Sequence, residues 1–520
     1  MRLERTKNAT RNMLFGFLLR FYQILMPFVI RTVMIYYLGI EYLGLNSLFT
    51  SVLQVLNLAE LGVGNAMVYS MYKPIVEDDE EKICALMNLY RTYYRIIGLI
   101  IAVLGLAILP FIPHIIKDDI PADINIYVLY LFNLSATVFS YWLFAYKNCL
   151  LTAHQRTDVS SKVLLVTNTV QYILQILSIC LAHNYYLFVI SNLLIQIASN
   201  VCTALVVNKM FPRYNPKGNL SKIEISAINK KIRDLFTAKI GAVIVLSADT
   251  IVISAFLGLS ALAIYQNYYY VINAIISIIL IVFTSVTAGI GNSIITETKE
   301  KNFADLRKFT FIISWIAGVC ACCFLNMFQP FMMIWVKKDE LLLPFSAVIC
   351  LVIYYFVFEI NALLNTYKDA AGMWHEDRFR PLVTAVVNLG SNLVMVQFWG
   401  IYGVILSTVL SMLCVGMPWL IHNLFTTVFE KEHMTQYLKK IGFYTVTVVI
   451  SCVISYWLCS YVNVSNHWLT LVLNMAISVV ISNVLFLITY AKSQEFHDSL
   501  LLLNKMLGGR LNRFVKKGAD

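Results

Sequence analysis

The sequence predicts an all-α integral membrane protein. About fourteen transmembrane helices are expected, as two parallel six-helix repeats followed by two more helices. Three observations carry this. Of 520 residues, 59% are apolar and only 13% charged, with a mean hydropathy of +0.72; soluble domains run roughly 45–50% apolar and about 25% charged. Fourteen apolar runs reach the roughly 20 residues that a bilayer crossing needs. Landmark residues also recur in the same order about 220 positions apart.

The runs are 12–38, 43–71, 84–111, 124–146, 160–182, 185–208, 236–257, 262–292, 309–329, 342–366, 380–399, 402–425, 441–462 and 467–490. Lipid offers backbone groups no partner, so each must be helical. The first is preceded by Arg2, Arg5, Lys7 and Arg11. It is too long for a signal peptide and lacks a small-residue cleavage site, so it reads as an uncleaved first span. It holds Arg20, Arg31 and, between them, Pro27, where a kink is expected. A tight Leu38-Gly39 turn leads to the second run, which holds Glu60 and closes in Gly62-Val63-Gly64. Prolines 110, 113 and 121 punctuate the third and fourth.

Topology follows from charge. With the N-terminus inside, 32 of the 40 Lys and Arg fall in or beside inner segments. Outer loops hold only Lys117, Lys337 and Lys338, and five bases lie within spans. Positive charge collects on the cytoplasmic side, so both termini are expected there. The net charge of +11 then reflects inner loops and not nucleic acid. The longest connection, 209–235, has Ser221-Lys222-Ile223-Glu224, the form of a capping box. An amphipathic helix on the inner membrane surface is expected there. The eleven cysteines sit in spans or at their inner ends, so neither disulfides nor a metal site are expected.

The halves match in detail. Arg31-Thr32-Val33-Met34-Ile35 with Leu38-Gly39 parallels Asp249-Thr250-Ile251-Val252-Ile253 with Leu257-Gly258. Gly62-Val63-Gly64-Asn65 parallels Gly289-Ile290-Gly291-Asn292. Gly98, Pro110 and Phe111 parallel Gly318, Pro330 and Phe331; Tyr146-Lys147 and His154 parallel Tyr367-Lys368 and His375. Chance explains shared Leu and Ile, but not collinear Gly, Pro, Lys and His. The expected parts are therefore 1–208 as an N-terminal six-helix lobe, 209–235 as a cytoplasmic linker and 236–425 as a C-terminal six-helix lobe. Residues 426–490 are two added spans and 491–520 a basic tail. An even span number per repeat gives both repeats the same orientation. Parallel repeats are a transporter architecture with the substrate site at their interface.

The Tyr37-Leu38-Gly39 turn running to Gly44-Leu45, the Ala59-Glu60-Leu61-Gly62 exit and the segment 249–258 resemble the polysaccharide flippases. These are the Wzx-like branch of the multidrug/oligosaccharidyl-lipid/polysaccharide exporter superfamily. The resemblance covers essentially the whole chain. It implies two lobes around a central cavity that opens alternately to each side. The implied cargo is a polyprenyl-diphosphate-linked oligosaccharide moved to the outer leaflet for surface polysaccharide synthesis. It implies the plasma membrane of a bacterium, with a polymerase and glycosyltransferases as associated partners, and no cofactor.

Charges within spans are the candidate site. An Arg or Lys at the bilayer centre costs at least about 2.5–3.5 kcal/mol. Arg20, Arg31, Arg91, Arg95 and Lys239 are therefore expected to face a watery cavity and hold an anionic head group, since Arg presents forked donors to phosphate. The bland alternative is snorkelling to the membrane edge. Glu60, Asp249 and Glu359 either pair with these bases or bind a coupling proton or sodium. Tyrosines such as Tyr265, Tyr268, Tyr269 and Tyr270 either stack on sugars or belong to the interfacial belt. A cation-coupled drug antiporter of the same superfamily is the first rival, though five bases against three acids favour an anionic cargo. A polysaccharide polymerase is the second. Short outer loops, no P-loop and no nucleophile or zinc motif leave no expectation of an enzyme.

Overall fold

A computed structural model describes residues 5–60, 62–117, 120–462 and 464–506, and they are almost entirely helical. Leu61, Asp118, Asp119, residues 507–520 of the basic tail and the side chain of Lys239 lie outside the described residues. The first unit, Met1–Ala263, opens with α1 (Arg5–Tyr37), α2 (Ile40–Leu56), α3 (Val63–Glu77) and α4 (Glu80–Ile108). It continues with α5 (Ile126–Trp142), α6 (Asn148–Ala153), α7 (Thr157–Cys180), α8 (Tyr185–Met210) and α9 (Lys222–Leu257). The second unit, Ile264–Asp520, contains most of α10 (Leu259–Thr296), then α11 (Lys299–Val336), α12 (Phe345–Ala370) and α13 (Arg380–Trp399). Next come α14 (Ile401–Ser411), α15 (Met417–Thr427), α16 (Glu432–Cys459), α17 (His467–Tyr490) and α18 (Gln494–Met506).

Among the described residues, eleven helices are long and apolar enough to cross a membrane, or twelve if one bent pair is a single span. Hydropathy predicts fourteen runs, and the remainder have physical reasons. The fourth run is the bent pair: α5 turns by 46° into the helix ending at Ala153. Phe144 sits at the bend with φ +60°, a left-handed conformation unusual for an aromatic residue. The second run is interrupted between α2 and α3 by a 3₁₀ turn, Asn57–Glu60. The seventh is represented by a shorter apolar stretch, Val243–Leu257.

The linker helix is not a separate element. Ser221 and Glu224 form the expected capping box, but the helix they start runs unbroken for 36 residues into span seven. No proline interrupts it, and it ends only at Gly258. α1 likewise passes through Pro27 as one helix.

α9 is fastened to the first unit at both ends. Below, Lys82 pairs with Glu224 at 2.6 Å, Tyr93 donates to Asn229, and the Lys231 ammonium lies 4.2 Å from the Tyr69 ring centre. Above, the Lys117 ammonium donates to the Phe256 carbonyl at 2.7 Å and the Ser254 hydroxyl to Ile115 at 2.8 Å. Just past the end of α9, a Cβ on Gly44 would collide with the Leu259 carbonyl, so only glycine permits that approach.

The two turns matched in the sequence share one geometry. Gly39 has φ +126° and ψ +169°; Gly258 has φ +97° and ψ +173°. Each donates its N–H to a carbonyl five residues back, Met34 and Ile253 respectively. Residues with a side chain rarely adopt such backbone angles.

In the second unit α16 and α17 pack on α11. Gly318 provides the contact: a Cβ there would lie 2.8 Å from Val448 and 3.3 Å from Phe486. Polar groups secure it. The Asn326 amide donates to Ser455 at 3.0 Å and to Ser478 at 2.9 Å, and Asn474 donates to the Asn326 carbonyl. Small residues and buried hydrogen bonds are the usual means of joining helices in lipid.

Candidate functional site

The break in span two is where the first unit places its acid. Gly62 has φ +88° and caps α3 in the left-handed region. Glu60, the last residue of the 3₁₀ turn, accepts a hydrogen bond from Tyr94 Oη at 3.2 Å. Tyr90 Oη donates to Tyr94 Oη at 2.5 Å, with ring centres 4.3 Å apart. Tyr141 meets the Tyr94 ring edge-on and donates to Asn57 at 3.2 Å. Gly64 makes the space: a Cβ there would lie 3.1 Å from both the Glu60 carboxylate and Tyr90 Oη. The Gly62-Val63-Gly64 motif thus has two separate duties, a turn and a vacancy for a carboxylate.

The bases stand on the neighbouring side of α4. Residues 90, 91, 94 and 95 interleave two tyrosines and two arginines at i, i+4 spacing, so each pair shares a face. Arg91 is half-buried and donates to Asn88 at 2.8 Å; Arg91 and Arg95 both lie within electrostatic reach of Tyr146. Arg91 Nε is buried with no hydrogen-bond acceptor. Arg95 is exposed, and its carbonyl accepts from the Trp142 indole at 3.1 Å. Its face also carries the exposed Ile96, Leu99 and Val103.

The other predicted residues are placed as follows. Arg20 is exposed on α1; Arg31 on α1 and Asp249 on α9 are half-buried. All three, like Glu60, are engaged by other groups. Glu359 lies in α12 of the second unit at 0% exposure, and neither carboxylate oxygen has a hydrogen-bond partner. Cys320 and Tyr355 lie nearby. The structure thus brings Glu60 to the tyrosine face of α4, leaves Arg91 and Arg95 on the adjacent face, and gives Glu359 to the other unit.

Sequence reading missed Tyr90, Tyr94, Tyr141 and Tyr146. Their signal was present in Tyr90-Arg91-Thr92-Tyr93-Tyr94-Arg95: aromatic and basic residues both repeat every four positions, beside a helix that carries an acid.

This arrangement belongs to a multi-pass membrane protein with a transporter fold. The chain shares the fold of the MurJ flippase and of the MATE transporters of the MOP superfamily. It superposes on lipid II flippase MurJ in an inward closed conformation with a TM-score of 0.67 and 16% identity, over 92% of this chain and 99% of that one. An inward-facing multidrug resistance MATE family transporter of the MOP superfamily gives 0.63 and 14%, over 81% and 99%. A point mutant of the Vibrio cholerae MATE transporter VcmN gives 0.55 and 14%, over 80% and 96%. No protein-family model and no curated protein matches the sequence.

Proposed function

We propose that the chain is a flippase. It carries a polyprenyl-diphosphate-linked oligosaccharide from the cytoplasmic to the outer leaflet of a bacterial plasma membrane, by alternating access and without covalent chemistry. Both termini face the cytoplasm. The supporting observation is the broken second span, where Glu60 meets three tyrosines, with Arg91 and Arg95 on the adjacent side of α4. Interrupted membrane helices persist where they are buried in protein or line a watery path, and ionisable residues at that depth mark substrate or ion routes. Arg31, Arg91 and Arg95, with Arg20 and Lys239, supply forked or point-charge donors to the diphosphate. The polyprenyl chain stays in the bilayer, and the sugars follow the head group. The broader cover of this chain by MurJ than by the MATE structures favours a lipid-linked cargo.

A second reading has its own observation. Glu359 is fully buried without a partner, and a carboxyl group so placed suits reversible binding of a proton or sodium ion. Cation-coupled antiport of a small molecule uses the same feature, and a coupled flippase uses both. Asp249, which stands where the first repeat has Arg31, is proposed as a gate.

The test is restoration of surface polymer in a flippase-null strain, with protein level followed by blot. Restoration by the wild-type chain is expected, with near-complete loss in Arg95→Ala and partial loss in Arg95→Lys. Full complementation by both Arg31→Ala and Arg95→Ala would overturn the roles of these two residues. Failure of the wild-type chain together with drug efflux would support antiport.

A further inference from the structure

The duplication leaves one tyrosine unanswered. In the first unit Tyr146 has the guanidinium groups of Arg91 and Arg95 within electrostatic reach. Its repeat counterpart Tyr367, in α12, is 1% exposed, and its hydroxyl has no hydrogen-bond partner. The position matching Arg91 at the 220-residue offset is Phe311, which offers no acceptor or donor. A buried hydroxyl left unsatisfied is costly, so one that persists calls for an occupant.

Tyr367 lines a cavity of about 370 Å³ at the end of α10, α11 and α12 expected to face the cytoplasm. That volume lies at the small end of the range typical of ligand pockets. Asp305 and Lys308 face into it and pair with each other at 2.5 Å. Asn302 is already committed, accepting from Ser293 and donating to two carbonyls, so it fixes the rim and offers little to a ligand. Ser285 keeps acceptor capacity, since its hydrogen goes to the Ile281 carbonyl. Phe309 contributes an apolar ring.

We propose that this cavity binds one sugar residue of the lipid-linked oligosaccharide through its hydroxyl groups. The chemistry selects a neutral polyol. Within the lining Asp305 and Lys308 pair with each other, and Lys301, outside the lining and largely exposed, reaches Asp305 at 3.4 Å as a solvent-screened charge, so the pocket wall presents an acceptor and a donor side by side. A carboxylate accepts from adjacent hydroxyls, an ammonium donates to the next, and Tyr367 Oη donates to a sugar oxygen. The Phe309 ring covers a C–H face of the sugar, as aromatic rings do in apolar contact. In biological sense the site rests on the flippase reading, but its chemistry does not. It gives the second unit a recognition element of its own, separate from the arginines of α4 in the first.

The experiment is saturation-transfer NMR on the full-length protein in detergent, with a free neutral hexose and a free N-acetylhexosamine as probes. Sodium chloride and sodium phosphate serve as competitors. One of the two sugars is expected to receive saturation and to resist both salts. Tyr367→Phe keeps the ring against Phe429, 5.9 Å away, and should weaken binding about five- to tenfold, as loss of one hydrogen bond does. Asp305→Asn should weaken it more. Size-exclusion profiles matching wild type show that the variants fold. No transfer from either sugar, displacement by phosphate or sodium alone, or equal binding by Tyr367→Phe would overturn the site. A protein that restores surface polymer yet binds neither sugar loses this site and keeps the flippase reading. One that binds sugar but restores nothing keeps the site and loses that reading.

Discussion

The third span, α4, and its repeat counterpart α11 carry the same landmark glycine to different ends. On α4, Gly98 makes room for the Trp142 indole of α5, and the positions beside it hold Arg91 and Arg95. On α11, Gly318 makes room for Val448 and Phe486 of the added helices, and the matching positions hold Phe311 and Trp315. Phe311 meets Tyr444 at 5.7 Å and Tyr490 at 5.5 Å, and Trp315 stacks on Phe486 at 5.7 Å. A face that is basic and partly open in one half is aromatic and covered in the other. Spans two and eight differ in the same sense. Gly62 and Gly64 sit at a break, whereas Gly289 and Gly291 lie within the continuous α10. Aligned on these glycines, Thr287 stands where Glu60 would be, and its hydroxyl is satisfied within its own helix by the Phe283 carbonyl. On spans three and nine the same scaffold carries basic residues in one copy and helix docking in the other.

Four measurements break or sharpen this contrast. The largest effect is expected from Phe311→Ala, which should destabilise by about 3–5 kcal/mol as buried Phe truncations do. It should appear as lost membrane protein. Arg91→Ala should leave protein level near wild type and cut surface polymer at least about tenfold, the loss expected when one hydrogen bond to a charged ligand group is removed. Loss of protein in Arg91→Ala instead, with polymer per protein unchanged, would make the two faces equivalent.

The glycines come next. Gly62→Ala forces a Cβ into a left-handed position at about 1–2 kcal/mol, and Gly64→Ala crowds Glu60. Both should lower transport. Gly289 has open space around it, so Gly289→Ala should be neutral or stabilising by up to about 1 kcal/mol. Thermal unfolding in detergent separates these outcomes, and equal destabilisation at 62 and 289 would remove the distinction.

A smaller effect is expected at the added helices. Asn326→Leu removes the bonds to Ser455 and Ser478. Buried hydrogen bonds between membrane helices are worth about 0.6 kcal/mol on average and up to about 1.7 kcal/mol. A drop in thermal midpoint is expected with transport per protein unchanged; a rise would show that packing alone holds α16 and α17.

The smallest effect belongs to pH. The Lys82 ammonium and the Ser221 hydroxyl and amide bring the Glu224 carboxyl down to about 2 from its ordinary 4.5. A carboxyl lowered in the folded state stabilises fully above its ordinary value and loses that contribution as pH falls towards the lowered one. Hydrogen exchange at the start of α9 should therefore stay protected from neutral pH to about 4.5 and loosen only as pH approaches about 2. Loosening between pH 7 and 5 would mean that the Lys82 pair does not hold the linker.

Much of this architecture was legible in residue order. Hydropathy marked the runs, the capping box at Ser221 announced a helix start, and two Leu-Gly pairs foretold two turns of one geometry. Other features depend on partners distant in sequence. The break before Gly62 needs the tyrosines of α4 to receive Glu60, and nothing local to 57–62 reports them. Fusion of the linker with span seven follows from the absence of a breaker between 222 and 257, a weaker signal than a proline or a cap. The bend at Phe144 leaves no composition mark at all, because an aromatic residue at positive φ is not what its type favours.

The serine stripe of α17 bears on how the chain is made. Asn474, Ser478 and Ser482 recur every fourth residue and are buried, and two of them face Asn326 of α11. The chain emerges N-terminal end first, so α11 enters the bilayer well before its partner exists. Until α16 and α17 arrive, the Asn326 amide has only its own helix to bond, through the Cys322 carbonyl. The last spans therefore act as a closing step in biogenesis: they seal a polar seam opened about 150 residues earlier. A chain cut before α16 would leave that seam facing lipid, a surface that membrane quality control can recognise whatever the state of the transport path.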